Sequence, residues 1–552
     1  MQERQAIIVQ KRRYTIEIFL IEKMKRIFLL QIMAAFSLIS PAQSWQDDEK
    51  AEKLDLSENL NYRIELQGSA ADGKTPLWLN ANRYGLSSLD DANGYVRGSM
   101  IRPLSTDSIR HWGVGYGLDL VGAMGYTSNV VVQQAFAELR WLHGAVTVGS
   151  KEYPMELKDN RLSSGSQTFG INARPVPQVR LALPDYWVIP RTGGWLRIKG
   201  HLAYGMTTDD AWQADFTGRQ ARHTEDVIYH SKAGYLKIGN EERYFPLSFE
   251  AGIEMACMFG GRSINAYGQV VEGATGFSSF LHSLYPSGYD ATDGDFKNAE
   301  GNHLGSYVAR INYDADTWSM AFYADQFFED NSMAVHIAYN GWGEGEQAQQ
   351  HVKHRYFIYD FNDWLLGGEL KLKYGKWIDG LVLEYLTTKY QGGPTYHDHT
   401  ANLAEHYTGL DNYYNHHLYT GWQHWGQVIG NPLYLSPLYN DDGQIVVKNN
   451  RFHALHMGLS GRPFPGLRYR LLATWQKGYG SYFNVYPDPR QNVSAMLETD
   501  YRFPDRSPLH GWSVRGALGI DNGKLLGNNV GAQLTIARQG LLFPDKKKQK
   551  GR

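Results

Sequence analysis

Segments of about ten residues that alternate large apolar side chains with small or polar ones recur along the whole chain. Residues 115–122 read GYGLDLVG, so that Tyr116, Leu118 and Leu120 are separated by glycine and aspartate. Residues 365–374 and 529–538 show the same alternation. Because successive side chains of a β-strand point to opposite faces, each segment is expected to form a strand with one apolar face. Residues 45–552 contain no run of 18 apolar residues, which excludes a transmembrane helix there.

The connections between these segments alternate in length for most of the chain. Short turns at one end and long loops at the other are typical of outer-membrane barrels, whereas a soluble β-sandwich gives no reason for such a separation. The sequence therefore predicts an all-β fold, a transmembrane antiparallel β-barrel of about 18 strands with short periplasmic turns and long extracellular loops. The short connections are residues 143–144, 314–317, 375–377 and 462–466, and the long ones are 154–176, 205–229, 260–304, 327–364 and 389–451. The predicted strands are residues 62–69, 95–103, 113–124, 130–142, 145–153, 177–185, 195–204, 230–239, 247–259, 305–313, 318–326, 365–374, 378–388, 452–462, 467–477, 494–503, 512–521 and 529–538.

Aromatic residues lie near the ends of many predicted strands. An outer-membrane barrel carries aromatic girdles at both membrane surfaces. We therefore interpret these side chains as lipid-interface residues rather than as ligand-binding residues. They are Trp112, Trp141, Tyr153, Trp195, Trp318, Trp377, Trp475 and Trp512.

The first 44 residues indicate a cleaved, Sec-type signal peptide with an upstream extension. From Met24, two basic residues precede an uncharged apolar stretch at residues 27–39, and small residues suited to cleavage follow at 42–44. Met24 is the expected start of translation. The predicted location is the outer membrane of a Gram-negative cell. The expected organisation is 1–44 as extension and signal, 45–60 as a periplasmic lead-in, 61–538 as the barrel and 539–552 as a C-terminal tail.

The composition narrows the range of partners. The formal net charge is −2, which gives no electrostatic basis for binding nucleic acid. Cys257 is the single cysteine, so an internal disulfide and a cysteine-based metal site are excluded. No cofactor is predicted.

Residues 405–440 form the most unusual segment of the chain. They combine eight tyrosines and tryptophans with four histidines, are interrupted by six glycines and prolines, and show no period of 2 or 3.6. A long loop of this kind is usually functional. Sugars present apolar C–H faces edged by hydroxyls, which suit stacking on aromatic rings and hydrogen bonds from amides and imidazoles. The predicted carbohydrate-binding residues are Tyr413, Tyr414, His416, His417, Tyr419, Trp422, His424, Trp425 and Asn431.

Other interpretations of this loop remain open at the level of sequence. The alternative is that its rings pack on one another as a plug in the barrel mouth, and one loop can do both. The imidazoles of His397-Asp398-His399 and of His416-His417 are close together, but adjacent residues seldom point at one centre, so no metal site is predicted.

Catalysis is not predicted either. No G-x-S-x-G elbow occurs, and the serine-rich residues 163–166 lie in a long loop, where turn chemistry explains them. The protein is expected not to be an enzyme and to have no catalytic residue. The alternatives to a glycan-binding protein are a porin-like diffusion channel for oligosaccharides and, less favoured, a barrel-rim hydrolase built on Asp398, His399 and Ser436.

Five basic residues cluster between residues 151 and 180. In a loop that faces outward or folds into the lumen, they are suited to pair with uronic acids or with lipopolysaccharide phosphates. The alternative that we favour is that they form ion pairs along the wall with Glu152, Glu156 and Asp159. The basic residues are Lys151, Lys158, Arg161, Arg174 and Arg180.

Three motifs together resemble the Wzi-type family of capsule-assembly outer-membrane proteins. They are TPLWLNANRYG at residues 75–85, the block from KEYPM to LPDYW at residues 151–187, and IGNPL at residues 429–433. The resemblance extends from about residue 61 to residue 538. The chain departs from the family in its lead-in of 16 residues, which leaves little room for a helical bundle, and in lacking the usual aromatic final residue of the last strand.

The resemblance implies an 18-stranded barrel that acts as a surface lectin. Such a protein helps to attach exported capsular polysaccharide to the cell and neither transports nor cleaves it. The expected partners are capsular or extracellular polysaccharide and the lipid of the outer membrane, including lipopolysaccharide. The barrel is expected to be a monomer.

Overall fold

The computed structural model contains one closed β-barrel. It describes residues 54–108, 110–240, 243–288, 299–329, 336–342, 346, 349–357, 362–391 and 411–543. Several predictions lie outside these residues: the signal peptide, residues 45–53 of the lead-in, the histidines at 397 and 399, residues 405–410 and the tail from residue 544.

Eighteen antiparallel strands form the wall. Each pairs with its neighbour in the chain, and the first strand closes the barrel by pairing with the last, from Asn61 opposite Leu541 to Asp72 opposite Val530. Every predicted strand overlaps one wall strand, so the predicted fold is confirmed, although the last strand continues three residues beyond the predicted end. The wall strands are β1 Asn61–Asp72, β2 Ala92–Arg102, β3 Trp112–Met124, β4 Val130–Trp141, β5 Gly144–Ser150, β6 Gln178–Val188, β7 Leu196–Met206, β8 Ile228–Ile238, β9 Leu247–Phe259, β10 Asn302–Asp314, β11 Trp318–Glu329, β12 Trp364–Leu372, β13 Gly380–Thr387, β14 Phe452–Phe464, β15 Leu467–Gly480, β16 Val485–Arg502, β17 Trp512–Gly523 and β18 Asn529–Leu541.

The alternation of the sequence divides the side chains between the two faces of the wall. Ile64 and Leu66 are 58% and 55% exposed on the outer face, whereas Glu65 between them is buried inside. Leu118, Asp119 and Leu120 repeat this arrangement. The outer face is thus a continuous apolar band around a polar interior, as in a transmembrane barrel.

Aromatic pairs lie at the end of the wall where the short connections are. Trp112 stacks on Trp141 with ring centroids 5.9 Å apart, and Trp318 stacks on Tyr313 at 5.4 Å. Both pairs agree with the predicted girdle. Tyr153 does not belong to it, because this side chain faces an interior cavity and lies beneath the guanidinium of Arg180. Its position next to a strand end was therefore a misleading signal.

The two ends of the barrel differ as predicted. At the short-turn end, the described connections include residues 142–143, 315–317 and 465–466; at the long-loop end they include 151–177 and 207–227, together with the described parts 260–288 and 299–301 of the next one. The described helices are α1 Leu77–Asn80, α2 Asp210–Phe216 and α3 Phe277–Leu284, with 3-10 turns at Leu104–Asp107 and Pro437–Tyr439. Short strands outside the wall form one three-stranded and two two-stranded sheets: His223–Glu225, Arg262–Ile264 and Val270–Glu272; His336–Trp342 and His351–Phe357; Gln423–His424 and Gln427–Val428.

Within the part of the chain that the structure describes, no helix is both long enough and apolar enough to cross a bilayer.

Candidate functional site

Three connections from the long-loop end turn inward and fill the lumen. We call residues 75–88, 155–176 and 413–438 the plug. Most of their side chains are buried, and their polar groups bond to one another and to the inward-facing side chains of the wall. The plug has little regular structure, so these bonds replace those of a helix or sheet.

The middle segment of the plug is bound to two carboxylates of the wall. Asp325 accepts hydrogen bonds from the Lys158 ammonium at 2.6 Å and from the Gln167 amide at 3.1 Å. Glu384 accepts hydrogen bonds from the hydroxyl of Ser163 at 2.6 Å and from the amide N–H of Ser164 at 2.7 Å. The serine-rich residues 163–166 are therefore buried anchors of the plug.

The last segment of the plug has an aromatic core. Tyr414 stacks on Tyr434 with ring centroids 4.0 Å apart, and Phe327 of the wall contacts Tyr413 edge-on at 4.8 Å. The indole of Trp422 donates to the carbonyl of Thr168 at 2.9 Å. These rings thus connect the last segment both to the wall and to the middle segment.

The IGNPL motif is a point at which two plug segments approach each other closely. A Cβ at Gly430 would lie 1.9 Å from the hydroxyl of Tyr414 and 2.1 Å from the carbonyl of Gln167. The side chain of Asn431 donates to the carbonyl of Gly165 at 3.0 Å. The glycine permits this close approach, and the asparagine holds it.

The first segment of the plug contacts the same region. The amide of Leu77, at the start of α1, donates to Asp521 at 3.1 Å, and the indole of Trp78 donates to Thr474 at 3.1 Å. The amide of Tyr84 donates to the carbonyl of Ile171 in the middle segment at 2.7 Å. The three motifs that carry the family resemblance therefore meet in the lumen.

A small hairpin at the end of the plug positions Trp425. Gln423–His424 pairs with Gln427–Val428, and the turn residues Trp425 and Gly426 have φ values of 54° and 77°. Positive φ at both turn positions is the conformation that two-residue hairpins prefer. The half-buried Trp425 ring lies 4.3 Å from the guanidinium carbon of Arg174.

His424 is held in one tautomer. Its Nδ1 donates to the carbonyl of Arg174 at 2.9 Å, and its Nε2 accepts the amide N–H of Thr208 at 3.1 Å. Burial lowers the pKa of His424, because the charged imidazolium is less well solvated there. The ring is therefore neutral at pH 7 and serves as a bridge between loops.

The structure divides the nine predicted carbohydrate-binding residues into two groups. Of the nine, His416 and Trp425 are half-buried and His417 is exposed. A binding role for the nine stays a prediction, and in this conformation only these three reach solvent to a substantial extent. The buried members are Tyr413, Tyr414, Tyr419, Trp422, His424 and Asn431, for which the alternative interpretation as a packed plug describes the observed contacts.

The basic residues of the middle connection do not form the ion pairs that the sequence led us to favour. Lys151 and Lys158 bind wall carboxylates, Glu138 at 2.7 Å and Asp325 at 2.6 Å, rather than the acidic residues of their own loop. Those acidic residues, Glu152, Glu156 and Asp159, pair with Arg97, Lys199 and Lys371. Neighbours in sequence did not identify ion-pair partners, because the loop crosses the lumen and meets distant strands.

A second feature of the long-loop end is an open recess of about 770 Å³ beside the plug. The Tyr439 ring lies in it near the ammonium of Lys74, and Arg490 stacks over the Tyr486 ring at 4.1 Å. Ion pairs from Lys74 to Asp441 at 2.8 Å and from Lys448 to Asp442 at 2.5 Å mark its edge. We call this the outer recess. It is lined by residues from five stretches: 73–74, 435–448, 484–490, 525–527 and 529.

The sequence pattern indicated only a part of the outer recess. Tyr439 lies in the aromatic loop. Tyr486 and Arg490 lie near the start of β16, where no sequence pattern indicated a binding role. A further recess of about 930 Å³ lies at the short-turn end, among residues such as Arg63, Arg502 and Trp512.

Among the described residues, no group of three or more histidine, cysteine or acidic side chains is arranged to hold a metal ion.

Comparisons with known proteins give matches to solved structures only. Wzi from Escherichia coli, described as an outer membrane protein involved in group 1 capsule assembly and as a carbohydrate-binding β-barrel, is 12% identical, with a TM-score of 0.52 over 87% of this chain and 85% of Wzi. Two proteins of Pseudomonas aeruginosa match with lower TM-scores. OprD is 11% identical, with a TM-score of 0.41 over 88% of this chain and 95% of OprD; OccK10 is 9% identical, with a TM-score of 0.43 over 88% and 99%.

No protein-family model matches the chain. No curated protein matches it either. At 12% identity the likeness to Wzi concerns the fold, and the chain shares with Wzi a closed barrel over most of both chains.

Proposed function

We propose that this protein is a non-enzymatic glycan-binding barrel of the bacterial outer membrane, which holds exported capsular or extracellular polysaccharide at the cell surface. In this proposal the long-loop end faces outward, the short-turn end faces the periplasm, and the apolar band contacts lipid and lipopolysaccharide. The observation that carries the proposal is the outer recess, because it combines accessible rings with hydrogen-bonding groups at its edge.

The chemistry of the outer recess suits sugars. The faces of Tyr439 and Tyr486 offer apolar platforms for the C–H faces of pyranose rings. Asn484 lines the same space with an exposed side-chain amide that supplies donors and acceptors for hydroxyls, whereas the side-chain N–H groups of Asn440 and Asn529 are bonded within the protein. A volume of about 770 Å³ lies within the range of roughly 300–1,000 Å³ typical of ligand pockets.

The plug supports binding over diffusion. A diffusion channel needs a continuous aqueous path, whereas here buried side chains of three connections interlock across the lumen. The resemblance to Wzi, which is described as carbohydrate-binding, points in the same direction. Trp425, His416 and His417 reach the surface of the same loop and extend the proposed contact surface beyond the recess.

Binding of the full chain in detergent micelles to the polysaccharide exported by its source cell tests the proposal, with a glycan array as a wider survey. We expect Tyr486→Ala to weaken binding about tenfold, because a stacked ring contributes roughly 0.5–1.5 kcal/mol beyond the area it buries. Tyr374→Ala is the matched control, since this ring is 78% exposed in a short turn at the opposite end.

Two results would overturn the proposal. One is the absence of binding to any polysaccharide by the folded wild-type chain. The other is equal affinity of the wild type and Tyr486→Ala, which would remove the outer recess from the binding surface.

A further inference from the structure

Helix α3 packs against the outside of the barrel wall. Successive side chains of a strand point to opposite faces. His201 of β7 lines an interior cavity beside the plug, so Tyr204, three positions later in the same strand, faces outward. The Tyr204 hydroxyl donates to the carbonyl of Phe280 in α3 at 2.8 Å. The Phe280 ring contacts the rings of Tyr204 and Phe259, each with centroids 5.3 Å apart, so α3 lies over the outer face near the long-loop end.

Beneath α3, a row of polar side chains crosses the outer face of the wall. His230 of β8 lies opposite Tyr204 in register. Cys257 of β9 lies between His230 and His303 of β10. Cross-strand neighbours share a face, so the whole row faces outward. His230, Cys257 and His303 nevertheless have relative exposures of 0%, and their cover keeps polar groups away from lipid, where contact is costly.

Two polar contacts fasten the last turn of α3. Lys232 has the same outward direction as His230, two positions earlier, and its ammonium donates to the carbonyl of Ser283 at 2.9 Å. A cation at this position also interacts favourably with the helix dipole. The Nδ1 atom of His282 lies 2.6 Å from the carboxylate of Glu300. The helix is therefore held against the wall in a defined orientation.

The face of α3 that points away from the wall is apolar. Phe277, Leu281 and Leu284 are between 38% and 42% exposed, and their spacing of four and three residues places them in one stripe. Ser279 and Ser283 are buried on the opposite side, toward the wall. A surface helix of a water-soluble protein shows the reverse arrangement, with its apolar side inward.

The height of α3 along the wall coincides with a membrane surface. Leu247 lies opposite Tyr313, which belongs to the aromatic girdle of the short-turn end. Phe259, against which α3 packs, lies twelve residues further along β9. That distance is about 40 Å along the strand and, at a tilt of roughly 40°, about 30 Å in height. The apolar band of an outer-membrane barrel is about 25 Å tall, so α3 lies at its upper edge.

The apolar stripe of α3 is continuous with the apolar band. Phe249 and Ile253 are exposed on the outer face of β9 between the girdle and α3. Tyr285, directly after α3, is 75% exposed, and tyrosine is enriched where a membrane meets water. Three partly exposed side chains offer far less than the roughly 800 Å² per partner of a stable protein interface. Continuity and size therefore both favour lipid as the occupant.

We propose that α3 is a membrane-interface helix, whose stripe of Phe277, Leu281 and Leu284 contacts the acyl chains of the outer leaflet. Amphipathic helices bind bilayers in this way, with the apolar face buried about 5–10 Å into the boundary between headgroups and chains. The helix also covers the polar row, so that the wall presents an apolar surface at this height. This role does not depend on glycan binding at the outer recess.

Spin labels on introduced cysteines test the proposal in the full chain reconstituted into lipid vesicles. The native Cys257 is fully buried, and labelling of the wild type measures its background. Molecular oxygen is apolar and concentrates in lipid, whereas a nickel chelate placed on both sides of the bilayer stays in water. We expect a label at Leu281→Cys to collide frequently with oxygen and rarely with the nickel chelate.

Two further labelled variants define the limits of the measurement. Leu120→Cys lies on the outer face of β3 and provides the lipid reference. Asp441→Cys, at the edge of the outer recess, provides the aqueous reference, because this side chain is 88% exposed. The proposal predicts that Leu281→Cys resembles Leu120→Cys in its ratio of oxygen to nickel accessibility.

Hydrogen exchange of α3 in the same vesicles is a second test, which needs no label. Leu281→Ala is expected to accelerate exchange of residues 277–285 about fivefold, because less apolar area is then buried in lipid. Ser278→Ala is the matched control, since Ser278 is exposed on the same helix beside the stripe. We expect no acceleration in this variant.

Three outcomes would overturn the proposal. The first is an aqueous accessibility at Leu281→Cys like that at Asp441→Cys. The second is shielding of this label from both reagents, which would show that protein, such as a second copy of the chain, covers the stripe. The third is unchanged exchange of α3 in Leu281→Ala.

Discussion

Aromatic rings of the same loop lie in opposite environments. Tyr413, Tyr414 and Tyr434 are buried in the plug, with relative exposures of 0%, whereas Tyr439, only five residues after Tyr434, lines the open outer recess. The difference comes from partners far away in the sequence. The plug rings meet Phe327 and the middle plug segment, whereas the recess rings meet basic side chains, Lys74 at Tyr439 and Arg490 at Tyr486.

Aromatic content alone therefore does not distinguish a core from a ligand platform. Both need large rings, and both are interrupted by glycine and proline. What distinguishes them is whether another segment of backbone approaches closely, as Gln167 approaches Gly430.

The largest difference in stability is expected when one ion pair in each region is broken. Lys158 and Asp325 are almost fully buried in the plug, whereas Lys74 and Asp441 at the recess are 37% and 88% exposed. We expect Lys158→Met to lower the free energy of unfolding by about 3–5 kcal/mol, because it leaves a buried carboxylate without its partner. Lys74→Met should cost less than about 1 kcal/mol.

Denaturant unfolding of the two lysine variants in lipid vesicles measures this difference. Equal midpoints for Lys158→Met and Lys74→Met would show that the plug contributes no more to stability than the exposed edge of the recess.

The next effect concerns the close approach of backbones within the plug. A Cβ at Gly430 has no room beside Tyr414 and Gln167, so Gly430→Ala is expected to displace the last plug segment at a cost of about 1–3 kcal/mol. Hydrogen exchange of residues 413–434 should accelerate about tenfold or more. Gly68→Ala is the matched control, because its Cβ meets nothing within 4 Å. Unchanged exchange in Gly430→Ala would refute the interlocked arrangement.

A smaller effect on stability is expected when the pH is lowered. Burial lowers the pKa of His424 in the folded chain, so below the unfolded-chain pKa of about 6.5 the unfolded state binds more protons. The stabilising contribution of the neutral ring is therefore complete above that pH and is lost as the pH falls, by at most about 1.4 kcal/mol per pH unit. Protonation at Nε2 also opposes the N–H of Thr208.

Thermal unfolding at pH 7 and pH 5 measures this pH dependence. His424→Gln should be less stable at pH 7 and should lose less stability on acidification than the wild type. An identical acid-induced shift in both proteins would exclude His424 as a source of the effect.

The sequence was sufficient to predict the wall, because strand periodicity and turn length are local properties. It was not sufficient to locate the rings. Tyr153 follows a strand end, as a girdle residue does, yet the chain turns into the lumen there. The contact between Gly165 and Asn431 joins residues 266 positions apart, and no local pattern indicates it. The same holds for the outer recess, which brings Lys74 and Arg490 together.

The filled lumen is the claim on which the distinction between a binding protein and a channel depends. Single-channel recording of the purified wild-type chain in planar bilayers tests it most directly. We predict little steady current at neutral pH, with longer openings in Gly430→Ala. A stable, large conductance in the wild type would contradict the plug and favour a diffusion channel.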